Sequence, residues 1–234
     1  MKPCGVYSRT SSSVIMYNIV VFGEARVGKT CFMDKLLGDL HMYPFSGTMP
    51  GVLHSLTVDD DKVEANYLDL SSTTIRTADA TFQPDLFVRS LAQADGVVLL
   101  YDVTSPESFE NVTSQAYMYA CMCSQYMSGS PRPVDCQYIL VGTKTDLLRR
   151  HRGAKVDTEL AQEWAQSQGM HHIDISSFAP GEPEAAARKL IKSIQRAERR
   201  AAKEAAEEEA NKRIVKPTMR SKMKLALGRK KSDA

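Results

Sequence analysis

Val14-Ile-Met-Tyr-Asn-Ile-Val-Val-Phe22 is an almost unbroken apolar run, rich in β-branched and aromatic residues. A run of this kind reads as a strand buried on both faces. A glycine-bearing turn follows, and then a helix-like stretch from Lys29 to Leu40. Val52–Val58 and Val63–Leu70 read as two strands of a hairpin, with Asp59-Asp60-Asp61-Lys62 as the turn signal between them. Gly96–Tyr101 is another buried strand. Beyond it Ser105 suits an N-cap, Pro106 the first helical position and Glu107 the positive end of the helix dipole. Gln137–Val141 and His172–Ile175 complete the strand candidates. The pattern between them predicts a helix over Asp157–Gln168, with Leu160 and Trp164 on its inner face.

Strands alternating with helices predict an α/β fold: a mostly parallel six-stranded sheet with helices on both faces. Ser71–Pro84 and Ser128–Asp135 read as long loops. From Pro183 a helical pattern runs to about Arg213, in which Leu190, Ile191 and Ile194 can dock on the sheet. Past Ile194 the apolar positions are alanine only, so Ala197–Arg213 is expected to project as a helix of ~25 Å.

Composition narrows the class. Of 234 residues, 43% are hydrophobic and 25% charged, which excludes a wholly disordered chain and a coiled-coil rod. No apolar run approaches the ~18–20 residues of a membrane span, and residues 1–13 lack the apolar core of a secretory signal. The five cysteines have no framework spacing, which points to a reducing, cytoplasmic setting. The net charge of +2 hides a division. Residues 211–234 carry nine Lys/Arg against Asp233 alone, while the remainder is mildly acidic. The expected organisation is a disordered N-terminus at 1–13, the α/β domain at 14–195, the helical extension at 196–213 and a basic tail at 214–234.

Candidate chemistry begins where the first strand ends. Gly23-Glu24-Ala25-Arg26-Val27-Gly28-Lys29-Thr30 fits G-x-x-x-x-G-K-[ST]. Its glycines let successive N–H groups turn toward phosphate oxygens, and the helix beginning at Gly28 points its positive end at the same charge. Lys29 reaches the β/γ oxygens and the Thr30 hydroxyl can ligate Mg²⁺. Thr143-Lys144-Thr145-Asp146 follows a buried strand, at the sheet edge where ligands bind. A carboxylate there can accept from guanine N1–H and N2–H₂, a donor pair that adenine lacks, while the Lys144 stem lies along the base face.

GEARVGKT, YLDL after a hairpin, GVVLLYDVTSPESF, GTKTD and ISS, in this order over about residues 15–195, resemble the Ras superfamily of small GTPases. The resemblance implies a P-loop NTPase fold, GTP/GDP with Mg²⁺ as cofactors, and effector and exchange-factor proteins as partners of a monomer. It implies ligand contacts along Gly23–Cys31. Thr48 resembles the threonine that joins Mg²⁺ beside the γ-phosphate, and Asp69 the acid that meets the ion through water. Thr30, Thr48 and Asp69 are thus the implied metal residues. Ser176-Ser177-Phe178 stands where the family has Ser-Ala-Lys, with the Ser177 N–H facing the guanine carbonyl.

Departures gather around one phosphate. Ser72 replaces the glycine whose N–H bonds the γ-phosphate, and Thr73 replaces the glutamine that orients water. Ala25 crowds the same side, and the segment from Asp69 to Gly96 is longer than usual. The reading is a guanine-nucleotide switch with weak intrinsic hydrolysis and no catalytic residue assigned. Arg26, Arg76 and Gln83 are conceivable substitutes. Its rivals are a pseudo-GTPase acting as an interaction protein and an ATP-using P-loop enzyme, the latter opposed by Asp146.

The chain ends without a cysteine prenylation motif. Met219, Met223, Ala226 and Leu227 share one helical face flanked by Arg220, Lys222 and Lys224. That basic segment can lie on an anionic membrane surface, at the cytoplasmic face, or remain a disordered tail; nucleic acid is the less favoured partner. His171-His172 reads as a strand start and Cys121-Met-Cys123 as a helical stretch, neither as a metal site.

Overall fold

The computed structural model describes residues 15–38, 51–59, 61–73, 84–126, 132 and 134–228, the last of these, 213–228, as backbone. Its sheet comprises β1 (Ile15–Gly23), β2 (Val52–Val58), β3 (Asp61–Ser71), β4 (Gly96–Asp102), β5 (Gln137–Thr143) and β6 (His171–Asp174). The order is β2-β3-β1-β4-β5-β6. Only β2 runs antiparallel, to β3; every other pairing is parallel. The expected mostly parallel six-stranded α/β sheet is therefore present.

Among the described residues the α-helices are α1 (Lys29–Leu37), α2 (Pro84–Ala92), α3 (Pro106–Asn111), α4 (Tyr117–Tyr126), α5 (Thr158–Ser167) and α6 (Glu182–Gly228). A π-helical turn, Val112–Ala116, joins α3 to α4. Thr113 and Ser114 hydroxyls there donate back to the Phe109 and Glu110 carbonyls, a pattern that loosens the regular helical ladder. One face of the sheet packs Tyr17, Ile19 and Val21 against Phe32, Leu36, Leu190 and Ile191. The other packs Val20, Phe22 and Leu99 against Phe87, Leu91, Ala120 and Ala161. β4 is buried along its whole length, which is why it reads as an apolar run rather than an alternation.

Several boundaries differ from the sequence reading for identifiable reasons. α1 stops at Leu37 because Gly38 adopts a left-handed conformation (φ 72°) and donates its N–H to the Asp34 carbonyl. α2 has no counterpart in the reading. α5 turns Ala161 and Ala165 inward, with Trp164 partly buried, while Leu160 is 54% exposed. Small side chains let that helix approach the sheet, so the inner face is one residue round from the expected one. α6 continues to Gly228 rather than ending near Arg213, in keeping with the strong helix formers between Met219 and Leu227.

The chain divides into two compact units, Met1–Ile194 and Gln195–Ala234. Within the second, Lys203–Glu207 and Glu208–Lys212 form i,i+4 ion pairs along α6. Residues 1–13, Thr48, Arg76, Gln83 and most of the two long loops lie outside the described residues.

Candidate functional site

The carboxyl ends of β1, β3, β4, β5 and β6 converge on the loops that the sequence marks. Gly23 ends β1 where a Cβ would stand 2.4 Å from the Leu100 carbonyl oxygen, so the turn can leave the sheet only from a glycine. Arg26 (φ 68°) and Gly28 (φ 100°) are both left-handed, bending the loop back over α1. The Lys29 ammonium donates to the Glu24 carbonyl at 2.7 Å, closing the loop. The Thr143 hydroxyl lies within hydrogen-bonding distance of the Val27 and Tyr101 carbonyls, sharing its one proton between them and tying the same loop to β5. Thr30 and Cys31 are exposed at the start of α1.

Lys29 is buried, and burial lowers its pKa, with the charges of Asp69 and Glu24 acting against the shift. Asp69 Oδ1 stands 3.9 Å from the Lys29 Nζ. Burial raises the Asp69 carboxyl above its ordinary value, and Lys29 opposes that shift. Lys29 is the under-solvated partner, since the Asp69 side chain keeps 37% of its surface exposed, so an anionic ligand beside Lys29 would relieve the buried ammonium. Among the described residues no group of three or more His, Cys, Asp or Glu could hold a metal alone. The Thr30 hydroxyl and Asp69 carboxylate are hard oxygen donors that suit Mg²⁺ only with phosphate oxygens completing its shell.

The Ser72 N–H and the Thr73 hydroxyl are engaged within the protein itself. The Ser72 N–H donates to the Gly23 carbonyl at 2.9 Å. The Ala25 N–H donates to the Thr73 hydroxyl at 3.0 Å. The contact joins the segment after β3 to the loop after β1, a pairing invisible in sequence because 48 residues separate the two.

At the other end, Lys144 is left-handed (φ 65°), and its ammonium donates to the Arg26 carbonyl and to Asp102 Oδ2, each at 2.6 Å. Asp146 is exposed and accepts from the Ser176 hydroxyl at 2.8 Å. Glu182 accepts the Ser176 N–H at 2.7 Å. Ser177 is buried, and Phe178 is 67% exposed, where a lysine of the Ser-Ala-Lys pattern would stand. The structure thus brings together Gly23–Cys31, Asp69 and Ser72, and likewise Thr143, Lys144, Asp146 and Ser176–Phe178. Thr48 lies outside the described residues. The sequence reading did not single out Asp102 or Glu182 as site supports; the signal for Asp102 was its place directly after a buried strand.

The profile of the Ras family matches residues 18–196. The chain belongs to the Ras family. Among its relatives, the GTP-binding protein YPTM1 of Zea mays is 26% identical over 166 residues, 69% of this chain and 70% of that protein. Ras-related protein Rab7 of Drosophila melanogaster is 28% identical over 156 residues, 65% of this chain and 67% of its own length. The human Ras-related and estrogen-regulated growth inhibitor is 28% identical over 149 residues, covering 61% and 67%. As a Ras-family small GTPase, the chain is of the guanine-nucleotide-binding switch type. Among the described residues no helix is long and apolar enough to cross a membrane.

Proposed function

We propose that this chain binds GTP and GDP with Mg²⁺ and, acting alone, hydrolyses GTP slowly. The backbone of Gly23–Gly28 and the Lys29 ammonium hold the β- and γ-phosphates. Thr30, Thr48 and, through water, Asp69 would hold the ion, which would supply charge neutralisation for the phosphates. The Asp146 carboxylate accepts from the base, the Lys144 stem covers its face, and the Ser177 N–H meets its carbonyl.

The observation that carries slow turnover is the contact of Thr73 with Ala25. A hydroxyl this short, held against the loop, cannot reach out to orient an attacking water. The Ser72 N–H, given to Gly23, is likewise withheld from a γ-phosphate. Phosphoryl transfer depends on such positioned groups, so losing both slows it. The partners proposed are effector and exchange-factor proteins, with an anionic membrane surface for residues 214–234.

The same contacts favour a second reading, a pseudo-GTPase that holds nucleotide for stability and presents a fixed surface. Mass analysis of nucleotide released from the purified protein, followed by GDP/GTP exchange and single-turnover hydrolysis, separates the two. The first reading expects exchangeable guanine nucleotide and turnover well below that of an ordinary small GTPase. Turnover at the ordinary rate overturns it, and nucleotide that cannot exchange supports the second.

A further inference from the structure

Tyr101, Gly142 and Asp174 occupy one lateral row across β4, β5 and β6, paired Tyr101 to Gly142 and Gly142 to Asp174. The Tyr101 hydroxyl passes over Gly142 and donates to Asp174 Oδ1 at 2.9 Å. A Cβ on Gly142 would lie 2.1 Å from Asp174 Oδ1 and 2.7 Å from the Tyr101 hydroxyl oxygen, so the bridge requires glycine beneath it. His172 Nε2 stands 2.9 Å from the Tyr101 hydroxyl and 3.0 Å from Asp174 Oδ1. The Thr158 hydroxyl donates to Asp174 Oδ2 at 3.0 Å. Burial alone would raise the Asp174 carboxyl; hydrogen bonds from His172, Tyr101 and Thr158 outweigh it and hold the group below its usual range.

Tyr101 is fully buried. A phenol there costs free energy unless its hydroxyl is bonded, and a phenylalanine would fill the same volume without that cost. The hydroxyl therefore asks for an explanation beyond packing. One residue past the row, each strand meets the site. Asp102 anchors Lys144. Thr143 ties down Val27. Ile175 donates its N–H to Gly142 at 2.7 Å and accepts from the Thr145 N–H at 3.3 Å. Asp146 and Ser176 follow directly.

We propose that the Tyr101–Asp174 bridge is a positioning device that fixes the spacing of the two loops reading the purine, and so sets base selectivity. The inference rests on the guanine-binding reading. Asp146 can face N1–H and N2–H₂ together only if the ends of β5 and β6 keep their spacing. Without the bridge, the contact most sensitive to angle, that with the 2-amino group, weakens first.

The test uses the full chain and three probes: GDP, IDP (which lacks the 2-amino group) and inorganic pyrophosphate. Tyr101→Phe is expected to weaken GDP about 10-fold, IDP less than about 3-fold and pyrophosphate not at all, collapsing the GDP/IDP ratio. Asp174→Asn keeps an acceptor for Tyr101 and is expected to retain most of the ratio. Thr158→Val, at the exposed end of the network, gives a smaller loss of ratio and serves if Tyr101→Phe does not fold. An unchanged ratio in Tyr101→Phe, or equal weakening of all three probes, overturns the inference. A wild-type protein that binds pyrophosphate but shows no preference for GDP overturns the guanine reading instead, before any variant is compared.

Discussion

Lys144 Nζ and Asp102 Oδ2 stand 2.6 Å apart, joining the loop after β5 to the end of β4. The Thr104 N–H and hydroxyl donate to the other carboxylate oxygen at 2.8 and 2.7 Å. Burial pushes the Asp102 carboxyl up, but the bonds from Lys144 and Thr104 prevail and hold it below its ordinary value. A depressed carboxyl adds stability that is present above its unfolded pKa and lost as pH falls toward the folded one. The loss is therefore expected below about pH 4. Thermal melts from about pH 6 to about pH 3 check this: Asp102→Asn should flatten the acid limb relative to wild type.

Lys29 and Asp69 shift the opposite way, since burial penalises both charges. A raised carboxyl costs stability as pH climbs through its window, and a lowered ammonium costs stability below its own. Lys29→Met is thus expected to raise the melting temperature of ligand-free protein at about pH 7, by about 2–4 °C for each kcal/mol relieved, while abolishing nucleotide binding. Calorimetry with and without GDP reads both effects, and a lower melting temperature without ligand would refute the argument.

Restoring the two replaced groups should restore chemistry. Ser72→Gly with Thr73→Gln frees the Ala25 N–H and supplies a side chain long enough to reach water. Single-turnover GTP hydrolysis is expected to rise by on the order of 10-fold or more. Thr73→Ala alone should leave turnover slow, because it removes the contact without supplying a positioner.

Gly23→Ala drives a Cβ into the Leu100 carbonyl, backbone against backbone. Overpacking of this kind costs about 1–3 kcal/mol, a fall of about 2–4 °C in melting temperature per kcal/mol. The same change at exposed Gly38, where a Cβ meets nothing within 4 Å, carries only the penalty of its left-handed backbone. The two melts should differ accordingly.

Asp146→Ala removes the carboxylate proposed to accept from the base. GDP preference over ADP should drop at least about 10-fold, read by competition binding, while pyrophosphate affinity stays unchanged.

The strands and the turns that carry both candidate loops were legible along the chain because each depends on neighbours in sequence. β1, β4 and β5 are covered on two faces, so they are written as apolar runs. Phosphate cradling needs a contiguous turn from Gly23 to Thr30. α2 also left a signal, Pro84 at its start and Phe87 and Leu91 at i,i+4 on the buried side, though it directly follows a segment read as loop. Leu160 misled because hydrophobicity alone ranks it above Ala161, whereas close approach to a sheet favours the smaller residue. Other features join residues tens of positions apart: Thr73 to Ala25, Lys144 to Asp102, and Tyr101 over Gly142 to Asp174. Strand register and the hydrogen bonds across it decide those meetings, and no local pattern encodes which side chains a register will set side by side.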